Sequence, residues 1–521
     1  MSETHPTPFY RWSVLGIIML GTFMAILDSS IVNVALPHMM SAFGVTRDRI
    51  EWVATGFMLA SATVMPLVGW MSGRMTYKTL YLGSLFVFTA GSAMCAFAWS
   101  LEALIAARII QAIGAGAMQP IGMSIVAELF EPHERGKALG VWGTGIMVGP
   151  ALGPTLGGYL TDTFGWRSIF SVNLPIGVMT LVAGLLIMSG LRAKGRTKSL
   201  DIWGYVFLAM ALIAGLTALS NGQDKGWNSD YIRICFGLAT VGLVMFIALQ
   251  TVVEHPLLDL KLFAVRNYSL AIILAIFRSI GLFGSVFLFP IFLQTLMGYT
   301  TIQSGFWMLP GALAVGVTMP IAGRLADKYA PAHLVATGCL LAGFSLILFG
   351  RLEPRSSWQM LVLPQLMRGC GLALMMSPLL TAALNSVPQI EIPMASSFLN
   401  VSQNVGGAIG IAAMNSFATH SVHVHAVRLG EVFPMQSQPF ARFAGAVSGL
   451  VVRHSPGILA TPQVKSAFVA ATAIQHRAQV LGFDNAFAIG GLVVLAAVPF
   501  CLLLKPLPHH NRRAQEAVAD G

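Results

Sequence analysis

Charge is scarce in this chain. Of its 521 residues, 10% are Asp, Glu, Lys or Arg, against about 25% in an ordinary soluble domain. A soluble chain of this length could not cover its surface so sparsely. Disorder is excluded too, because it goes with low apolar content and 55% of these residues are hydrophobic. Cysteine is equally sparse. Cys95, Cys235, Cys339, Cys370 and Cys501 all lie in apolar segments. Their spacing fits neither a metal site nor a disulfide framework, so they read as small buried hydrophobes. Hydrolytic signatures are missing: there is no Walker lysine loop, no GxSxG elbow and no HExxH. The sequence therefore does not read as an enzyme.

What is present is a series of apolar runs of about 20 residues, the length that spans a bilayer. They begin near Trp12, Trp52, Thr79, Glu102, Lys137, Ser168, Ile202, Tyr231, Asn267, Ser304, His333, Gln359, Ala395 and Asn485. This predicts an all-α polytopic membrane protein of about fourteen helices. The Lys137 run is rich in Gly and Pro, and the Ile202 run reads as short. The first run, Trp12 to Pro37, is too long for a signal-peptide core and lacks a clear cleavage site, so it is expected to stay as the first helix. An even number of spans puts both termini on one side. With the termini inside, inner segments carry about sixteen Lys/Arg and outer loops about seven. Arg192, Lys194, Arg196 and Lys198 form the densest inner cluster. Cytoplasmic termini are expected. The net charge of +10 then belongs to inner loops; no basic stripe interleaved with aromatics suggests nucleic acid.

One outer connection stands apart. About residues 420–484 separate the last two spans, far beyond the usual 4–6 residues. Ser466 to Leu481 puts Ala467, Ala471, Ile474, Ala478 and Leu481 on one helical face. It reads either as a helix resting on the membrane surface or as a docking element for a periplasmic partner. His420, His423 and His425 open this loop, but their spacing is poor for one helical face and no carboxylate or Cys completes a metal set.

Internal echoes divide the chain. Gly69 to Lys78, with Arg74, resembles Gly323 to Tyr329, with Arg324, Asp327 and Lys328. Gly114 to Pro120 echoes Gly371 to Pro378. Duplicated bundles are a mark of secondary transporters, with the site between the halves. The organisation expected is a six-helix bundle over 1–190, two additional helices over 191–255, and a second six-helix bundle over 256–521 that includes the long loop.

Four segments carry a family resemblance. Leu27 to Pro37 (LDSSIVNVALP) is similar to the first-helix signature of the major facilitator superfamily's fourteen-span drug:proton antiporters, the EmrB/QacA type. Arg108 to Gly114 resembles its fourth-helix RxxQGxG, with Ala112 for a Gly. Gly145 to Pro154 resembles the fifth-helix antiporter motif, and Gly165 to Gly177 its sixth-helix signature. Gly73 stands where the first inner-loop motif often has Asp, and Thr76 where it has Gly. The long loop favours the EmrB branch. The resemblance implies a major facilitator fold in a bacterial inner membrane. It implies multidrug export driven by protons, with no other cofactor, and partnership with a periplasmic membrane-fusion adaptor and an outer-membrane channel.

The residues suggest who does what. Asp28 is the one carboxylate well inside a span, some 22 Å in from Ser13 at about 1.5 Å per residue. It needs a cavity or a partner and can load and unload a proton as access alternates. Arg108 is its natural partner in proton coupling; it lies at similar depth, about 10 Å below the outer surface, either lining the cavity or snorkelling outward. Gln111 shares its face. Gly145, Gly149, Gly153 and Gly157 bare one side of the fifth helix for a close neighbour, and Pro150 and Pro154 invite bending. Arg278 and Arg368 lie deep in the second half. They either sit in structural networks with carbonyls or Asn/Gln, or line the cavity and attract anionic compounds. Asn33, Asn400, Gln403 and Asn404 are plausible polar fixers in an apolar substrate cavity. One deep acid against three deep arginines predicts substrates that are neutral or weakly acidic rather than dicationic. Competing readings are a dedicated exporter of one metabolite or siderophore, and a membrane sensor or scaffold that moves nothing.

Overall fold

The computed structural model describes residues 7–188, 199–352, 358–432 and 462–506. The Arg192–Lys198 cluster lies outside the described residues. Among those described there is no strand, and fourteen membrane-length helical segments follow one another. They are α1 (Pro8–Phe43), α2 (Trp52–Val64, then Leu67–Ser72), α3 (Tyr77–Ala96), α4 (Leu101–Leu129), α5 (Arg135–Phe164), α6 (Ser168–Ser171, then Asn173–Ile187) and α7 (Ile202–Lys225). After these come α8 (Asp230–Val252), α9 (Arg266–Thr295), α10 (Thr301–Lys328), α11 (Pro331–Phe349), α12 (Trp358–Asn385), α13 (Ile392–Val432) and α14 (Pro462–Leu495, then Val498–Leu502). Eleven are long and apolar enough to cross a membrane on composition alone. The others are α2, interrupted at Met65-Pro66, and α5 and α13, which are diluted by small and polar residues.

All but the last helix begin within four residues of the apolar-run starts. Caps set those starts. The side chains of Thr76, Ser100, Asp201, Ser229 and Thr300 each accept a backbone N–H from the first turn, and Thr300 with Gln303 forms a full capping box. The Ile202 run is not short: α7 has 24 residues. Its last turns are polar (Ser220, Asn221, Gln223), so hydropathy undercounts it.

The two halves pack alike. α1 lies against α4, α5 and α6, as α9 lies against α12, α13 and α14. α3 pairs with α4 as α11 pairs with α12. The halves meet mainly through α5 and α10, with α13 crossing to α2 and α4. We call the side where α1 begins the near face and the opposite side the far face.

The extra pair, α7 and α8, covers the seam between the halves. Leu216 of α7 packs with Leu59 and Ala62 of α2 and with Ala408 of α13. Trp227 Nε1 donates to Ser416 Oγ of α13 at 3.2 Å, and Phe246 of α8 stacks on Phe398. Only 17% of α8's apolar window is buried, which leaves the rest to face lipid.

Within the expected loop at 420–484, residues 420–432 and 462–484 are helical. α13 has 41 residues, about 60 Å at 1.5 Å per residue, twice the roughly 30 Å of hydrocarbon. α14 starts at Pro462, well ahead of Asn485. Residues 433–461 lie outside the described residues. The two helices run past the far face together: Gly482 abuts Val422, and Asn485 Nδ2 bonds Ser421 Oγ at 2.8 Å and lies 3.1 Å from His425 Nε2. The helix predicted over Ser466 to Leu481 is thus the root of the last span, not one lying flat on the membrane. Its predicted face is buried at Ala478, half-buried at Ile474 and Leu481, and exposed at Ala471; the side chain of Ala467 is outside the description.

Candidate functional site

Five helices of the first half converge on one carboxylate. Asp28 of α1 and Arg108 of α4 form an ion pair at 2.5 Å, with 0% and 1% of their side chains exposed. Asp28 Oδ1 accepts two amide N–H bonds, from Gln111 Nε2 at 3.0 Å and from Asn173 Nδ2 of α6 at 2.8 Å. Both amides also donate to Ser92 Oγ of α3, at 2.6 and 3.3 Å. Arg108 has further partners. It bonds Gln111 Oε1 at 2.6 Å and the Val53 carbonyl of α2 at 3.2 Å, and it lies over the Phe57 ring at 4.0 Å. A buried charge is tolerable only when paired and hydrogen-bonded, and here both members are.

Sequence reasoning brought Asp28, Arg108 and Gln111 together correctly, but it expected Arg108 to line a cavity or snorkel. It does not snorkel, because its guanidinium is sealed inside the bundle. Ser92 and Asn173 were missed. Asn173 stood in the quoted sixth-helix signature, and a lone Asn in an apolar run was the available signal.

The glycines of α5 face α1 in order. Gly145 meets Met19 and Phe23, Gly149 meets Ile26 and Leu27, Gly153 meets Ser30, and Gly157 meets Ile31. A Cβ at Gly149 would come 3.1 Å from Ile26. Pro154 has no N–H, which frees the Pro150 carbonyl one turn earlier. Ser30 Oγ, two residues from Asp28, donates to that carbonyl at 3.2 Å. The other side of α5 faces α10: Gly136 and Gly140 lie against Gly323 and Met319. α5 is therefore wedged between the helix that carries Asp28 and the opposite half.

The halves are fastened at the near face. Asp327, in the last turn of α10, accepts the N–H groups of Gly136 at 2.8 Å and Lys137 at 2.9 Å. These are unpaired donors at the start of α5, where a helix favours negative charge. Ser377 Oγ of α12 donates to the Gly136 carbonyl at 3.0 Å. Arg135 Nη1 donates to Asn385 Oδ1 at 2.7 Å, and Asn385 Nδ2 to the Pro132 carbonyl at 2.9 Å. The segment from Gly323 to Lys328 was read as a loop, but it is helical. Arg324 and Lys328 are exposed on it. In the first copy, Gly69 is also helical, with its Cα side against Met394 of α13. Arg74 lies over the Trp70 ring at 4.7 Å, and Lys78 Nζ donates to the Leu185 carbonyl at 2.9 Å.

The expected single cavity lining is not one group. Gln111 belongs to the Asp28 network. Arg278 Nη2 donates to Gln403 Oε1 at 2.7 Å. Arg368 donates to Gln365 Oε1 at 2.7 Å and Ser285 Oγ at 3.2 Å. Asn400 and Asn404 bridge the halves, with Nδ2 atoms 3.1 Å from Met123 Sδ and 3.2 Å from Met65 Sδ. Asn33 is exposed on α1, apart from the rest. The reason is azimuth: these side chains point to different neighbours around helices of the same depth. Among the described residues no cluster of His, Cys, Asp and Glu is suited to a metal.

The comparisons fit this geometry. The Major Facilitator Superfamily model matches residues 18–411. The chain is 34% identical over 411 residues to the Multidrug resistance protein B homolog of Mycobacterium tuberculosis, covering 78% of this chain and 76% of that one. It is 31% identical over 418 residues to the Multidrug export protein EmrB of Haemophilus influenzae, covering 80% and 82%. The solved proton:xylose symporter XylE superposes with a TM-score of 0.60 at 14% identity, over 94% of this chain and 95% of that one, which speaks to the fold. The chain belongs to the major facilitator superfamily, as a multi-pass membrane transporter of the EmrB type and not an enzyme.

Proposed function

We propose that this protein exports hydrophobic toxic compounds, neutral or weakly acidic, from the cytoplasm across a bacterial inner membrane in exchange for protons. The relatives named as multidrug proteins support the export reading. The observation that carries the coupling is the sealed Asp28–Arg108 pair. Arrival of a proton at Asp28 removes the charge that holds Arg108, Gln111 and Asn173 together. The helices that supply them are then free to shift. α1 cannot move without α5, because the glycine ladder locks them at backbone distance. α5 in turn carries the near-face fastening to Asp327. Protonation at one site is thereby linked to opening at another through two rigid helix contacts. In this reading the near face is cytoplasmic, both termini lie there, and the projecting ends of α13 and α14 meet a periplasmic membrane-fusion adaptor that leads to an outer-membrane channel.

The test is Asp28→Asn in inverted membrane vesicles. Asn keeps an acceptor for Arg108, and the Gln111 and Asn173 amides can rotate to receive its N–H, so the fold survives. Expression and dye binding should persist while efflux driven by a pH gradient is lost. Wild-type pumping by this variant under the gradient excludes Asp28 as the carrier.

A further inference from the structure

The first half neutralises its buried arginine with Asp28, and among the described residues the second half has nothing comparable. Arg278 is 2% exposed, and its guanidinium makes one hydrogen bond, to Gln403. Its Nε and Nη1 have no acceptor among the described residues, and neither does the hydroxyl of Ser279 beside it, which is fully buried. Arginine stays protonated under any condition the cell meets. A buried cation with two idle donors is a costly arrangement. Among the described residues no carboxylate is paired with it.

Close helix packing holds these groups together. Gly406 of α13 sits against Ile276 and Ser279 of α9, and Gly410 against Ile280. Gln403, one turn before Gly406–Gly407, is thereby pinned opposite Arg278, and Ser279 faces the same crossing. Arg368 adds a second positive charge to this interior. It reaches Ser285, which is seven residues along α9 from Arg278, or about 10 Å.

We propose that Arg278 and Ser279, aligned by Gln403, bind a carboxylate group in the second half of the transporter, so that an acidic compound docks there by its anionic end. The idle Nε–H and Nη1–H point from different edges of the guanidinium, and each can give one charge-assisted bond to an anionic oxygen. The Ser279 hydroxyl offers a third donor. The proposal deepens the reading of this protein as an exporter that accepts weakly acidic compounds, and it rests on that reading for its physiological meaning.

Binding in detergent requires neither a gradient nor movement, so it can fail or succeed independently of export. Benzoate is titrated into purified full-length protein and followed by calorimetry, with benzyl alcohol as a neutral control of similar shape. Wild type should bind benzoate and Arg278→Gln at least tenfold more weakly. Arg278→Lys, which keeps the charge without the guanidinium N–H groups, should fall between. Benzyl alcohol should not distinguish the three. Equal benzoate affinity in wild type and Arg278→Gln, or no benzoate binding by wild type, overturns the site. Displacement of benzoate by an equal concentration of chloride overturns the carboxylate class. Loss of pumping in Asp28→Asn together with intact benzoate binding would still support the site.

Discussion

Asp327 gives the sharpest test of the near-face fastening. Its carboxylate receives two backbone N–H groups at the start of α5, and it is 8% exposed. Asp327→Asn replaces two charge-assisted bonds with at most one neutral one and turns an amide N–H toward a helix end that repels it. A charged acceptor contributes about 1.5–3 kcal/mol per bond against about 1 for a neutral one, and the helix-end charge adds up to about 1 more. Taking the low end, two charged bonds less one neutral bond leave about 2 kcal/mol and the helix-end charge brings this to about 3, so the closed near face should shift roughly 30- to 150-fold toward opening. Gly73→Ala is the matched control in the first copy of the motif. Gly73 has φ −72° and ψ −17°, a helical conformation that alanine adopts without strain. Spin labels at Met75 and Tyr329, exposed on opposite halves at the near face, report the opening as a longer distance. Asp327→Asn should broaden and lengthen that distance and slow dye efflux, and Gly73→Ala should do neither. If the two variants give the same distances and the same efflux, the fastening does not depend on Asp327.

Two other outcomes test the helix contacts. Gly153→Leu drives a branched side chain into Ser30 and should cost several-fold in gradient-driven efflux while Tyr159→Leu, at an exposed position of α5, costs little; equal losses in vesicle assays refute the ladder. Shortening the projecting ends of α13 and α14 should spare efflux in vesicles and abolish resistance of intact cells, with loss of adaptor co-purification; unchanged resistance and co-purification defeat the docking role.

The sequence exposed what depends on one residue and its depth. Hydropathy located helix starts because a span must be apolar for its whole length. Asp28 and Arg108 could be matched because charge in a span is rare and depth follows from counting. Azimuth was not legible. Nothing local in the sequence says that Gln403 turns to Arg278 while Asn404 turns to Met65 across the seam. Asn173 and Ser92 carry no charge, so their convergence on Asp28 left no trace except in three dimensions. Asp327 was singled out, but its partners are backbone N–H groups, which have no side-chain signature. The start of α14 was misplaced because Lys465, His476 and Arg477 interrupt its hydropathy without interrupting the helix.

The duplication explains why the halves can divide labour. α4 reads Arg108-x-x-Gln111-x-x-Gly114, and α12 reads Gln365-x-x-Arg368-x-x-Gly371. The glycines fix the register, since Gly114 abuts the α3 backbone and Gly371 the α11 backbone. Counted from them, arginine and glutamine have exchanged places. The swap displaces the guanidinium by one turn, about 5 Å. At the same time α1 contributes an acid, whereas its counterpart α9 contributes Arg278. The first half thus closes its own charge balance, which suits a site that must hold and release a proton. The second half keeps two buried arginines with no ion pair among the described residues. Under the two proposals made here, their charge is met by what is carried. An acidic passenger offsets one of these positive charges in the second half as the proton neutralises Asp28 in the first. Each half then changes charge only when its own ligand binds, and this keeps the two binding events chemically separate while α5 joins them mechanically.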